Sequence, residues 1–496
     1  MFKKIAITAA LSLGALSFYA CDSLLDTEPR QSVSPEVALQ NIAGVRGIAA
    51  SAYNRLLSTA AYTNTRIAAP EILADNAVQN PTGTPSGRYV SEAQNSIGTG
   101  VGGWGTYFAL INDANYIIDG VDVLDAPQAD KDRFRGEMLF LRALAYHDLS
   151  KSYGYEPGRE VNGFNLSVML RTEPTRGTTD ADTPRPRNTN TEVYQQIETD
   201  LGTAIDLLST AGGTNRFLAT EGAAKALLAR VYLYSGRYPE AAAMAQEAMD
   251  TPGVNLATPA QVPSLFATTD SPGVESFFEV RVTSVDFGGA VNNGLSALFT
   301  PAQWFDVVPS IELKELYEEG DARYNMFVDE DDQVQLTGWY SNRNPNNNNL
   351  TQIHSIKFNQ TVEGPGSFID NTPVLRYGEM LITRAEALAR SDQFGPALTE
   401  LNRLRVNRGL DELSGLTGQD LINEILDERR RELAFEGHRW FDLKRLNLTL
   451  NKPEATGFES LLPDDFRWLS AVPSGQVEAS QGVIQQNPGY GVEDDE

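Results

Sequence analysis

Cysteine is almost missing from this 496-residue chain. The one present, Cys21, allows no intramolecular disulfide and no cysteine-based zinc site. Histidine is nearly as scarce: His147, His354 and His438 are far apart, follow no HExxH-type spacing, and are expected to be ordinary structural residues. Positive charge is also short, with 40 Lys and Arg against 66 Asp and Glu, a formal charge of −26. A nucleic-acid binder needs a basic stripe to displace phosphate counterions, and the sequence has none. An acidic surface repels DNA, RNA and anionic headgroups and favours neutral ligands. After Ala20 no segment reaches membrane-spanning length, which excludes a polytopic membrane protein. GxSxG, the P-loop and a GxGxxG opening a helix after a strand are absent too. What is there is globular in composition, 41% hydrophobic and 21% charged, enough for about three domains or one large one with insertions.

The amino terminus reads as an address. Met1–Ala20 carries Lys3 and Lys4 and then an apolar run from Ile5, the pattern of a secretory signal peptide. Cys21 follows Phe18-Tyr19-Ala20, an arrangement resembling a bacterial lipobox, in which a small residue precedes a cysteine that is acylated; Phe18 departs from the usual Leu or Val. Residues 21–34 then form a lipid-anchored tether, and several acyl chains, at about 0.8 kcal/mol per buried methylene, would hold the body firmly on a bilayer. Cleavage removes two lysines and leaves a charge of −28 (38 − 66).

Beyond the tether, helical periodicity dominates. Helices are expected over Pro35–Leu57 with Ser34 as N-cap, Trp104–Leu124, Ala129–Tyr153, Thr191–Leu208, Thr220–Asp250, Pro373–Arg408 and Gly418–Leu446. Within EGAAKALLARVYLYSGRYPEAAAMAQEAMD, Leu228, Ala229, Tyr232, Tyr238, Ala241 and Ala248 take tetratricopeptide spacing. Ala385, Leu388, Phe394, Ala397 and Leu404 repeat it. Small residues let antiparallel helices approach closely, with the tyrosines filling the seam. Ala229 and Ala385 are 156 residues apart, so these are helical pairs separated by insertions, not a tandem array. The expected layout is mostly α: a helical scaffold over 35–250 carrying a ligand-loop insertion, an irregular insertion with short β-strands over 251–371, and C-terminal helices and tail over 372–496. Long loops inside compact domains are usually functional.

Certain stretches are more specific. FLRALAYHDLSKSYGYEP (Phe140–Pro157) and ILDERRRELAFEGHRWFDLKR (Ile425–Arg445) resemble two hallmark motifs of the SusD/RagB family of nutrient-binding outer-membrane lipoproteins, and QQNPGY (Gln485–Tyr490) its closing motif. The lipobox, WGTYFALINDANYII (Trp104–Ile118) and the helical pairs occur in family order, so the resemblance runs from Met1 to Tyr490. It implies a surface lipoprotein, without catalytic activity or cofactor, that sits as a lid on a TonB-dependent, SusC-like outer-membrane transporter. There it captures an oligosaccharide or occasionally a peptide.

Two clusters offer other chemistry. Glu428, Glu432 and Glu436 share a helical face, as a glycosidase pair or metal site requires, but interleaved arginines keep such carboxylates ionised and favour buried ion pairs. Asp329–Asp332 is an acidic turn lacking the glycine and terminal glutamate of an EF-hand loop, so no metal site is expected. A neutral glycan instead needs aromatic faces with amide, carboxylate or guanidinium groups nearby. Tyr62, Tyr89, Trp304, Trp339 and Tyr340 lie on or beside loops, with Asp75, Asn76, Arg88 and Asn342 close by, whereas Trp104 and Trp440 belong to helical motifs and the core. The expected site is a platform of Tyr89, Trp304, Trp339 and Tyr340 with Asp75 and Asn342 as polar partners. Two alternatives stay open: a protein-binding tetratricopeptide scaffold with a bare concave groove, and a secreted glycosidase.

Overall fold

The computed structural model describes residues 35–491, apart from 81–85, 178–182, 212, 267–272, 284–293, 302–303, 325, 329–333, 337–339, 342–353, 359–368, 454–455, 457 and 459. Its body is a stack of helices. In chain order these are α1 (Ile42–Arg55), α2 (Thr65–Leu73), α3 (Trp104–Gly120), α4 (Gln128–Tyr153), α5 (Asn190–Ala211), α6 (Glu221–Tyr234) and α7 (Tyr238–Met249), then α8 (Tyr377–Arg390), α9 (Phe394–Asn407), α10 (Gly418–Leu433) and α11 (Arg439–Arg445). α1 packs on α3, and from α3 to α9 each helix packs on the next. No described helix is long and apolar enough to cross a membrane.

The helical pairs close as their small residues require. Ala229, Ala241, Ala248, Ala385 and Ala397 are all fully buried, so neighbouring backbones approach without a large side chain between them. Tyr232 and Tyr238 do not fill the seam as expected. They are half-buried at its edge, under the guanidinium groups of Arg237 and Arg390. Although the two alanine-rich pairs are far apart in sequence, α7 packs directly on α8, so the intervening chain leaves the stack and returns to it. Strand β2 (Ser276–Val280) pairs antiparallel with β4 (Thr372–Arg376), which leads straight into α8, and thereby ties that excursion to the stack. Pro373 was expected to open a helix, but Thr372 and Val374 favour extended backbone and the β2 edge supplies the hydrogen-bonding partner. Two further differences appear at the N-terminal end. Asn41 caps α1, accepting from Gly44 N at 2.9 Å, while Ser34 lies outside the described residues. α2 forms where no helix was expected: it is buried on every face and so shows no amphipathic period to read.

A second seam is ionic. Glu432 accepts from Arg323 Nη1 (2.9 Å), Arg376 Nη1 (2.5 Å) and Arg408 Nη2 (2.8 Å). One turn earlier Glu428 takes Arg323 Nη1 at 2.7 Å, and after the helix Glu436 takes Arg376 Nε at 2.7 Å and Lys357 Nζ at 2.5 Å. All are buried. Burial alone would raise the Glu432 pKa, but Arg408 and Arg376 outweigh it and hold the carboxyl well below its ordinary range. Arg323 and Lys357 belong to the excursion between α7 and α8, so this network fastens it to α10. The expected buried ion pairs are therefore present, and Arg431 also bonds Glu428 and Glu424 at 2.7 Å.

Candidate functional site

The candidate site grows from one short antiparallel pairing. β1 (Ala77–Gln79) lies against β3 (Val307–Pro309) with Val78 opposite Val308, which brings two loops distant in sequence together. Asn80 N donates to Asp306 O and Asn80 Nδ2 to Phe305 O, each at 2.9 Å, and Ser86 N donates to Asp306 Oδ1 at 3.2 Å. The Ser86 hydroxyl bonds the other Asp306 oxygen. Ser310 ties the far end, its N to Asn76 O and its Oγ to Asp75 O. Strand His354–Ser355 packs beside β3 and pairs with Tyr340–Ser341, Tyr340 opposite Ser355. Segments bearing Asp75, Tyr89, Trp304 and Tyr340 thus converge on one edge.

The nominated side chains differ in what they present. Trp304 is half-buried. Tyr340 sits in its short strand, while Trp339, Asn342, the Asp329–Asp332 turn and Cys21 lie outside the described residues. Tyr89 is a correction. It is only 8% exposed, its hydroxyl donates to Asn64 and burial pushes its pKa up, so it walls the site instead of offering a stacking face. Asp75 also differs from expectation: it pairs with Arg439 Nε at 2.6 Å and Arg430 Nη2 at 3.4 Å. Burial would raise its pKa, but Arg439 and then Arg430 hold it below the usual range, so the carboxylate is already engaged by protein. Asn76 is buried on Glu71 (2.7 Å), and Tyr62 is buried on Asp148 (2.6 Å). Aromatics in sequence loops were expected at the surface; Tyr62 and Tyr89 instead join the main core.

The motif residues are joints. In α4, Asp148 holds Arg66 (2.6 Å) and Lys151 (3.2 Å) in the core, and the Asp148 pKa is lowered because these cations outweigh burial. Arg429 and Arg445 bond Asp442 at 2.9 and 2.8 Å, and Trp440 packs on Trp468 with ring centres 4.4 Å apart. In the closing motif Asn487 Nδ2 donates to Ser470 O at 2.7 Å. His147 stands edge-on to Tyr194 and Tyr234; burial, then Lys151, lowers its pKa, and burial lowers that of His438. Both are interior residues, as expected. Among the described residues no cluster of His, Cys, Asp or Glu could hold a metal. Rings also meet amides in a cleft of about 290 Å3 between α3 and the loop at Met169–Thr175, lined by Trp104, Phe108, Asn112, Arg171 and Gln476. Its components come from three separate segments, and nothing in their spacing announces it.

Comparison with known proteins matches residues 25–233 to a family described as starch-binding associating with outer membrane, and residues 283–490 to the SusD family. Between them the two matches leave only 234–282 and the chain ends. The chain belongs to the SusD/RagB family. A SusD-like protein of Formosa agariphila is 26% identical over 78% of this chain and 80% of its own length. Among solved structures, a SusD superfamily protein from Bacteroides vulgatus superposes with a TM-score of 0.75 at 22% identity, covering 91% of this chain and 100% of that one. A laminarin-binding SusD-like protein superposes with a TM-score of 0.69 at 22% identity and covers the same shares. These likenesses establish the mostly helical SusD fold with its short strand insertions.

Proposed function

We propose that this chain is a lipid-anchored, outward-facing outer-membrane lipoprotein that captures a neutral oligosaccharide and hands it, chemically unchanged, to a TonB-dependent transporter. The observation that carries the reading is the half-buried Trp304 at the β1–β3 edge, in a chain whose family includes a starch-binding description and whose fold is shared with a laminarin-binding protein. An aromatic ring beside polar loop residues is the chemistry that sugar C–H surfaces recognise. Tyr340 lies on the adjoining strand, and Trp339 and Asn342 are its neighbours in sequence, so these three are proposed with Trp304 as ligand residues, while Tyr89 and Asp75 are engaged by protein. The absence of catalysis fits the state of Glu428, Glu432 and Glu436, which arginines and a lysine hold ionised and buried. Isothermal titration against plant, algal, fungal and host polysaccharides tests the binding; failure to bind any of them contradicts it. Cys21→Ala should move the protein from the detergent phase to the aqueous phase, and pull-down of the wild type from native membranes should recover one dominant barrel transporter. Recovery of soluble periplasmic proteins alone would favour a protein-binding scaffold.

A further inference from the structure

The two loops of the site are locked by one side chain. Asp306 is fully buried and its carboxylate engages both the backbone N–H and the hydroxyl of Ser86, while its own carbonyl accepts from Asn80. Asn80 returns the contact by holding Phe305 O. At the two ends of this clamp stand bulky residues in left-handed backbone conformations, Tyr89 at φ 61° and Phe305 at φ 51°. Such residues rarely adopt that region, and the strain persists only where surrounding bonds over-determine it, as happens at ligand-binding turns. On its other side the Trp304–Phe305 turn is held by Ala297 O, which accepts from Trp304 N at 2.9 Å and Phe305 N at 3.1 Å. Among the described residues the buried Trp304 indole N–H has no hydrogen-bond partner, and the bonds that hold this turn are those of its backbone. Phe305 packs with Val78 and Val308 in a small apolar cluster separate from the main core.

From this we infer that Asp306 is a positioning residue for the ligand site: its carboxylate fixes the Ser86–Tyr89 turn against the Trp304–Phe305 turn, so that the two loops present a single binding face. The inference rests on the glycan-binding reading above, yet its structural half can be measured without any sugar.

The test uses the full-length protein with Asp306→Ala, Asp306→Asn and Ser86→Ala. Acrylamide quenching of Trp304 emission, taken as the difference from the same variant carrying Trp304→Phe, reports the pose of the turn, and titration with laminarin and soluble starch reports affinity. Asp306→Ala should raise quenching and weaken binding about tenfold, the scale of one lost hydrogen bond to a charged group. Asp306→Asn keeps an acceptor for Ser86 and should recover most of both; Ser86→Ala should fall between. If Asp306→Ala does not fold, Ser86→Ala alone carries the test, since it removes only a half-buried hydroxyl. Quenching and affinity unchanged from wild type would overturn the proposal. Should neither polysaccharide bind the wild type, the functional reading fails, and the quenching still decides: a rise supports Asp306 as the fixing residue and no change overturns it.

Discussion

Two seams hold distant parts of this chain together, and they work by opposite means. Between α6–α7 and α8–α9 buried alanines allow close backbone approach and carry no polar group to satisfy, alongside the buried Arg230–Glu379 ion pair at 2.6 Å. Between the α7–α8 excursion and α10 the contact is made by buried arginines and glutamates, each dependent on several partners. Alanine contacts resist an increase in volume and carry no charge to titrate. An ionic seam resists the loss of any one member, because the partners left behind are charged and buried.

Removing the hub of the ionic seam should have the largest effect. Glu432→Ala leaves Arg323, Arg376 and Arg408 facing a gap and should cost about 3–5 kcal/mol by urea unfolding. A cost below that of substitutions in the alanine seam would erase the distinction between the two.

Protonation probes a further buried ionic joint, that of Glu386 on α8 with Arg445 on α11 at 2.8 Å. Burial pushes the Glu386 pKa up, but Arg445 and then Arg390 outweigh it and hold the carboxyl at about 2. Because the native pKa lies below the unfolded one, the stabilisation is complete above pH ~4.5 and is lost as pH falls towards 2. Glu386→Gln should therefore lose about 3 kcal/mol at pH 7, and the gap from wild type should narrow by pH 3. A gap that does not change with pH would mean packing, not charge, holds that joint.

The alanine seam should show the smaller, pH-independent effect. Ala385→Leu forces volume between helices whose backbones are already close and should cost about 1–3 kcal/mol at pH 7 and at pH 4 alike. Full tolerance of leucine would show that the helices do not meet there as closely as the burial indicates.

Legibility in the sequence divides along the same line. The alanine pairs declare themselves by period, and the helices of the scaffold follow from it. The Glu428–Glu432–Glu436 face was readable as ion pairing because its arginines interleave on one helix, but Arg323, Lys357, Arg376 and Arg408 come from elsewhere and share no spacing with it. Helix α2 stayed hidden because its burial on every face removes the alternation that marks a helix. The site was legible only as a set of segments. Loop position nominated Trp304 and Tyr89 alike, but only the tertiary packing shows that Tyr89 is buried on Asn64 in the main core and that Asp75 meets Arg439.

The most direct test of the account is isothermal titration of the Trp304→Ala/Trp339→Ala protein, checked for folding by circular dichroism, against the polysaccharide that wild type binds. Each well-placed ring contributes on the order of 1 kcal/mol, so affinity should fall about tenfold or more while the helical signal stays intact. With an uncharged ligand, the wild-type affinity should also be the same at low and high salt. Unchanged affinity in the folded double variant would contradict the Trp304 edge as the sugar site and direct attention to the cleft lined by Trp104 and Phe108.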